Sequence, residues 1–371
     1  MDNFNLIMKE IDRYRRIEVP KLVAKVRRQA NNFKILKDLI INIPKYKSFS
    51  DENWRVIAVD GGMDHTSLEG VGFAVASARA FMITLGKAKI TDFNDIQLFD
   101  TPASDIASIV SSTFMKSLEY YVAKKAINEI DDDIPTLVLL DGAITFPDTS
   151  VNVTNIRELS DAFLKYQKNA NDFFNLALKK SKVSVIAVSK DARRAKYLRA
   201  LKCDKEVMDK LNINKEKLEI LRNLIENESW RERIALQHII RKYSPDKPAY
   251  FEPLDVSVAG ITHGEIPISI LKREGVCSTY YLYPNSSHAL YLEFPKWDLS
   301  KLDSLFELFN DLCRISPVVG YPYPLVFVDE LTRVTKSFSS KVFTQLIYEI
   351  RDIAPDIARD LINSKMRKLL H

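Results

Sequence analysis

Three short runs along the chain are almost wholly apolar: Arg55–Val59 after its first residue, Thr136–Leu140 after its first, and Val183–Val188 apart from Ser184. Continuous apolar runs of this length read as strands buried on both faces. Helical spacing lies between them. Residues 103–130 carry Met115, Leu118, Tyr121, Val122 and Ile127 on an amphipathic pattern closed by Asp131-Asp132-Asp133 and Pro135, and 157–182 is helical too. Segments 70–80 and 81–88 read as two strands with small residues at the joins, and 276–295 alternates as a hairpin through Tyr281, Tyr283, Ala289, Tyr291 and Glu293. Strands alternating with helices predict an α/β fold.

Two segments stand outside that alternation. Residues 1–48 predict an N-terminal helical arm, with Ile11, Tyr14, Ile17, Val19, Leu22 and Val26 at helical spacing and an interruption near Pro20. Arg13, Arg15, Arg16, Lys21, Lys25, Arg27 and Arg28 lie between them, which suits a solvated face, a dimer arm or a phosphate-contacting helix. Residues 190–242 are charged and hold no Gly or Pro, so about 190–245 reads as a helical insertion in a domain spanning 49–371. The chain turns helical again after Gly320-Tyr321-Pro322-Tyr323-Pro324.

Composition narrows the picture only modestly. With 46% hydrophobic and 28% charged residues the chain is ordinary globular material. Its 54 Lys+Arg against 49 Asp+Glu is too small a surplus to predict nucleic-acid binding by itself. Cys203, Cys277 and Cys313 lack metal-knuckle or redox spacing, which points to a reducing, cytoplasmic setting. No apolar stretch approaches the ~20 residues needed to span a bilayer, so a soluble protein with no membrane partner is expected.

The candidate chemistry sits at the strand ends. Asp60 and Asp141 each follow an apolar strand and precede glycine. If the two strands are parallel neighbours, both carboxylates reach the same sheet edge, where α/β folds gather their chemistry. Adjacent carboxylates repel unless a cation neutralises them, and hard oxygen ligands select Mg²⁺ or Mn²⁺. Glu119, in the largely apolar Leu118–Val122 stretch, extends the set. Each residue also has a plainer reading: Asp-Gly after a strand is common turn chemistry, and most helix glutamates are solvated. In order, however, an Asp on the first strand, a Glu on the first helix and an Asp after a later strand resemble RNase H-like nucleases, whose sites hold two metal ions.

More of the chain carries a further resemblance. Val56-Ile57-Ala58-Val59-Asp60-Gly61-Gly62, Leu118-Glu119-Tyr120, Leu139-Leu140-Asp141-Gly142 and the basic Val188-Ser189-Lys190-Asp191-Ala192-Arg193 resemble successive motifs of the NurA nucleases. Leu292-Glu293-Phe294-Pro295 and Gly320–Leu325 also match, so the resemblance runs from about residue 50 to residue 340. It implies an RNase H-like mixed sheet flanked by helices, and a Mn²⁺-dependent DNA nuclease with single-strand endonuclease and 5′-to-3′ exonuclease activity. It also implies a homodimer working with the hexameric ATPase HerA in DNA end resection and repair. Asp60, Glu119 and Asp141 would be metal ligands, Tyr321 would orient a phosphate or water, and Lys190 and Arg193 would contact the scissile strand.

One position departs from the family. Eight residues beyond the tyrosine the family usually carries histidine, and here stands Asp329. Aspartate can replace imidazole on Mn²⁺ or Mg²⁺ and would complete a four-carboxylate site for two ions. It also removes an acid–base group that titrates near neutrality, so the alternative is a weakened paralogue that docks a helicase and guides DNA without cutting. His65, His238, His263, His288 and His371 do not replace the missing histidine. An actin-like ATP-binding fold is a rival, yet 10 glycines are few for its phosphate loops. Leu331 and Phe338 are read as core residues rather than a docking surface.

Overall fold

A computed structural model describes residues 3–43, 54–68, 71–86, 90–101, 106–130, 133–144, 157–190, 196–211, 219, 230–257, 268–316, 318–356 and 359. The chain divides into two compact units. One comprises Met1–Lys45, Ser189–Ile261 and Val276–Glu293; the other comprises Tyr46–Val188, Thr262–Gly275 and Phe294–His371.

The first unit begins with helix α1 (Asn3–Asn32) and, after a 3-10 turn, strand β1 (Ile40–Asn42). Contrary to the sequence expectation, α1 runs through Pro20 without a break. The second unit then supplies β2 (Arg55–Leu68), β3 (Val71–Thr84), β4 (Ile90–Thr101), α2 (Ala107–Asn128), β5 (Thr136–Asp141), α3 (Arg157–Lys179) and β6 (Val183–Ser189). The chain re-enters the first unit with α4 (Lys196–Cys203), α5 (Lys205–Lys210), α6 (Trp230–Tyr243), β7 (Ala249–Phe251) and β8 (Leu254–Asp255). After α7 (Ser269–Glu274) come β9 (Val276–Leu282) and β10 (Leu290–Pro295), then α8 (Leu302–Arg314), α9 (Tyr323–Thr332) and α10 (Lys336–Ile353).

In the first unit the strand order is β1-β7-β9-β10, with β8 beside β9. In the second it is β6-β5-β2-β3-β4. There β2, β3 and β4 form an antiparallel meander, while β2–β5 and β5–β6 are parallel. An antiparallel meander whose first strand is flanked by parallel β5, and β5 in turn by parallel β6, is the RNase H-like arrangement. Helices cover both faces of this mixed sheet. Gly61 faces Met115 and Glu119 of α2 whereas Gly62 faces Thr332 of α9, and successive strand residues point to opposite faces.

Two sequence expectations give way here. Strand β2 does not end at Asp60-Gly61-Gly62; it continues to Leu68, paired with β3 throughout. The segments read as two strands, 70–80 and 81–88, are one strand, Val71–Thr84, with β4 following. Ala80, at the expected join, is fully buried inside this strand, as are Ala76 and Ala78 before it. They let covering helices approach the sheet closely rather than breaking it.

Helix α2 is fixed from both sides. Phe114 stacks on Phe99 of β4 at 4.1 Å, and Tyr120 packs against Tyr166, Phe173 and Phe174 of α3 at 5.6–5.7 Å. Burying each such ring stabilises the fold by roughly 1.5–3 kcal/mol. Asn169 donates to Ser117 Oγ at 2.9 Å, and Lys124 pairs with Asp172 at 2.9 Å. On the other face, α10 sets Phe343 and Ile347 against Phe73. Leu331 and Phe338 are not core residues, being 39% and 42% exposed. No helix among the described residues is long and apolar enough to cross a membrane.

Candidate metal centre

The parallel pairing of β2 with β5 runs from Arg55 opposite Thr136 to Val59 opposite Leu140. The next residue on each strand is an aspartate, so Asp60 and Asp141 emerge side by side where the pairing ends. Strand β5 turns away at Gly142, whose φ of 85° suits glycine and whose N–H donates to Val188 at 2.8 Å. Helix α9 brings the third acid. Its entry is set by Gly320 at φ 82° and by Pro322 and Pro324, and Leu325 and Val328 anchor it in the core. Asp329 is thereby turned to the strand ends. One carboxylate oxygen from each of Asp60, Asp141 and Asp329 lies within 4.8 Å of the others.

Close approach requires both glycines after Asp60. A Cβ on Gly62 would stand 2.0 Å from the Thr332 carbonyl oxygen, and one on Gly61 would stand 2.8 Å from Glu119 Oε1. The Asp-Gly-Gly run is therefore a packing requirement inside a strand, not a turn.

Around the three aspartates the polar contacts are sparse. Asp60 accepts from the Gly61 N–H at 2.7 Å and, more distantly, from the Thr332 hydroxyl at 3.4 Å. Tyr321, only 4% exposed, donates its hydroxyl to Asp141 Oδ1 at 2.7 Å. Asp329 pairs with Arg333, one helical turn on, at 3.0 Å. Burial, then the neighbouring Asp141 and Glu119, push the Asp60 carboxyl up to about 8, against the pull of Lys116 and the Gly61 N–H. Burial and the Asp141 carboxylate hold the Tyr321 phenol well above its ordinary value.

Glu119 is brought beside this cluster but stands outside the group of three. Its Oε2 takes a 2.6 Å ion pair from Lys116, and its buried Oε1 has no hydrogen-bond partner among the described residues. Burial raises its carboxyl to about 7 even with Lys116 opposing. For Lys116 burial works against the charge, but Glu119, Asp141 and Asp60 outweigh it and raise the ammonium's pKa. Lys116 escapes a reading of acids alone; its signal is the i, i+3 spacing to Glu119.

A hard divalent cation fits this donor set. Three carboxylates converge from separate elements, buried Asp60 with half-buried Asp141 and Asp329, the repulsion on Asp60 is only partly offset, and a carboxylate oxygen of Glu119 with no hydrogen-bond partner among the described residues lies alongside.

The NurA domain family matches residues 55–334, a span that includes all three aspartates. The chain belongs to the NurA family. Its structure is similar to that of the NurA nuclease from Sulfolobus solfataricus, with 11% identity and a TM-score of 0.60 over 93% of this chain and 97% of that one. A second NurA crystal structure, 12% identical, is matched over 95% of this chain and all of the other (100%) with a TM-score of 0.59. A structure of NurA bound to dAMP and manganese, also 12% identical, covers 87% of this chain and 94% of that one at a TM-score of 0.49. No curated protein matches the chain in sequence.

Lys190 and Glu293, from two further NurA-like motifs, lie in the first unit. Lys190 is exposed, and its carbonyl accepts from the Arg233 guanidinium. Arg193, like His263 and His371, lies outside the described residues. Glu293 is fully buried and pairs with Lys196 at 3.6 Å. His65 is exposed on β2, paired with Ala74 rather than turned into a loop.

Proposed function

We propose that this NurA-family protein is a divalent-metal-dependent deoxyribonuclease. The observation that carries the reading is the convergence of Asp60, Asp141 and Asp329, whose oxygens lie within 4.8 Å of one another. These three residues hold the cation. Bound there, Mn²⁺ or Mg²⁺ supplies Lewis-acid polarisation of a phosphodiester and acidifies water. Tyr321, donating to Asp141, fixes that carboxylate's orientation and presents its phenol toward the site. Glu119, with one buried oxygen that no described residue hydrogen-bonds, borders the centre as a ligand or orienting group. Lys190 and Arg193 contact the phosphates of the strand being cut.

Family membership supports the finer picture: single-strand endonuclease and 5′-to-3′ exonuclease activity, a homodimer, and a hexameric HerA-type ATPase as partner in DNA end resection. The test is a digest of end-labelled single- and double-stranded oligonucleotides with Mn²⁺, Mg²⁺ or EDTA, with and without that ATPase. Cutting that needs metal and disappears in Asp60→Ala supports the nuclease. An Asp60→Ala protein that cuts as fast as its parent overturns it.

A second reading has one observation in its favour. Arg333 already pairs with Asp329, and Lys116 with Glu119, so protein cations stand where metal would compete. A docking subunit that guides DNA without cutting it would leave every arm of the digest silent.

A further inference from the structure

The geometry points to Lys116 as a resident cation that takes the place of a second divalent ion and leaves the aspartates holding one. This rests on the reading of Asp60, Asp141 and Asp329 as a metal centre.

A second hard cation beside the triad would need oxygen ligands of its own, and two oxygens there are Glu119 Oε2 and the main-chain carbonyl of Asp141. Lys116 Nζ occupies both. It pairs with Glu119 Oε2 at 2.6 Å and donates to the Asp141 carbonyl. An ion arriving there would have to displace an ammonium from a carboxylate that is 4% exposed, and would then sit against that displaced charge.

The surroundings are shaped for this pair. A Cβ on Gly142 would lie 3.1 Å from Lys116 Nζ, and one on Gly61 would lie 2.8 Å from Glu119 Oε1. Two glycines, on β2 and just after β5, thus clear the space that the pair fills. Among the described residues Glu119 keeps Oε1 without a hydrogen-bond partner, enough to serve one ion but not to bridge two while Lys116 holds its other oxygen. Sites with two ions use shared carboxylates to neutralise both; here the protein supplies one of the two positive charges itself.

The experiment counts bound Mn²⁺ per chain by electron paramagnetic resonance of the free ion and by titration calorimetry, without substrate. The parent protein binds one Mn²⁺, lost in Asp60→Ala. Lys116→Met, or Lys116→Gln should the first fold poorly, frees Glu119 and adds a second, weaker ion. Adding Glu119→Gln to either variant returns the count to one, and Lys116→Arg keeps it at one. A parent that binds two ions and loses one in Glu119→Gln overturns the proposal whatever the lysine variants do. A count that stays at one in folded Lys116→Met and Lys116→Gln overturns it as well. A parent that binds no Mn²⁺ refutes the metal centre itself, a different failure.

Discussion

Glu232 in the first unit and Asp60 in the second are both nearly closed to solvent, 2% and 5% exposed. Burial lifts both carboxyls, Glu232 to about 7 and Asp60 to about 8. Their neighbours differ in kind. Glu232 accepts from the Tyr280 hydroxyl at 2.9 Å and from the Leu198 N–H at 3.0 Å, so each oxygen has a protein donor. Asp60 also has donors, the Gly61 N–H at 2.7 Å and, more distantly, the Thr332 hydroxyl at 3.4 Å, but it faces two further aspartates within 4.8 Å. A raised carboxyl by itself therefore does not mark function. Donors around a buried acid complete a structural network, whereas other acids around it leave a charge to be met from outside.

The sharpest break in this comparison comes from removing one acid of each kind. Asp141→Ala takes a ligand from the proposed centre and should lower metal-dependent cleavage by about 10³-fold or more, since a metal supplies several kcal/mol of transition-state stabilisation. Glu232→Gln should leave cleavage by the folded protein unchanged. Equal losses from the two substitutions, measured on the same labelled oligonucleotide, would erase the distinction.

Stability should respond in the opposite sense. Glu232→Ala leaves the Tyr280 hydroxyl and the Leu198 N–H buried without their acceptor, at a cost of about 3 kcal/mol in unfolding free energy. Asp60→Ala relieves repulsion and should be neutral or slightly stabilising in metal-free protein. Urea denaturation of both variants in EDTA decides the matter. A larger loss from Asp60→Ala would mean that the aspartates are structural.

The next difference lies in pH. Asp60 has a folded value of about 8 against an ordinary 3.8, so the folded state holds a proton that the unfolded chain has lost between those values. Its contribution is full below about 4 and is lost as pH rises through 8, by up to about 1.4 kcal/mol per unit. Glu232 and Glu119, both raised to about 7, have the same sign over a narrower window that closes near pH 7. Mn²⁺ separates the two regions. It competes with the proton at the aspartates but not at Glu232, so the rise in Tm on adding Mn²⁺ should be larger at pH 8 than at pH 5. A rise independent of pH would disprove competition at the centre.

Much of this was legible from residues alone, because it depends on local pattern. Largely apolar runs mark β2, β5 and β6, and an aspartate after two of them implies neighbouring carboxylates once the strands are parallel. Less legible was everything set by tertiary approach. Gly61 and Gly62 read as a turn, although their lack of side chains serves α2 and α9, which pack from opposite faces. Pro20 read as an interruption, yet it sits inside the continuous helix α1. Lys116 was invisible because nothing in a helix sequence says that its ammonium meets a main-chain carbonyl 25 residues away. The Lys196–Glu293 pair joins positions far apart in sequence for the same reason.

The smallest predicted effect tests how finely the aspartates are held. Tyr321 donates to Asp141 at 2.7 Å, and the ring is buried. Tyr321→Phe keeps the packing while deleting one hydrogen bond to a charged group, worth about 1.5–3 kcal/mol. If the bond's role is to hold Asp141 in ligand geometry, Mn²⁺ affinity and the cleavage rate should both fall about ten- to a hundredfold. If instead the phenol acts on the phosphate or on water, the rate falls while Mn²⁺ affinity stays at the parent value. Affinity and rate measured on the same Tyr321→Phe preparation therefore assign the hydroxyl to the metal or to the substrate. A variant unchanged in both would remove Tyr321 from the site, leaving the aspartates to stand without a tuned neighbour, as Glu232 never does.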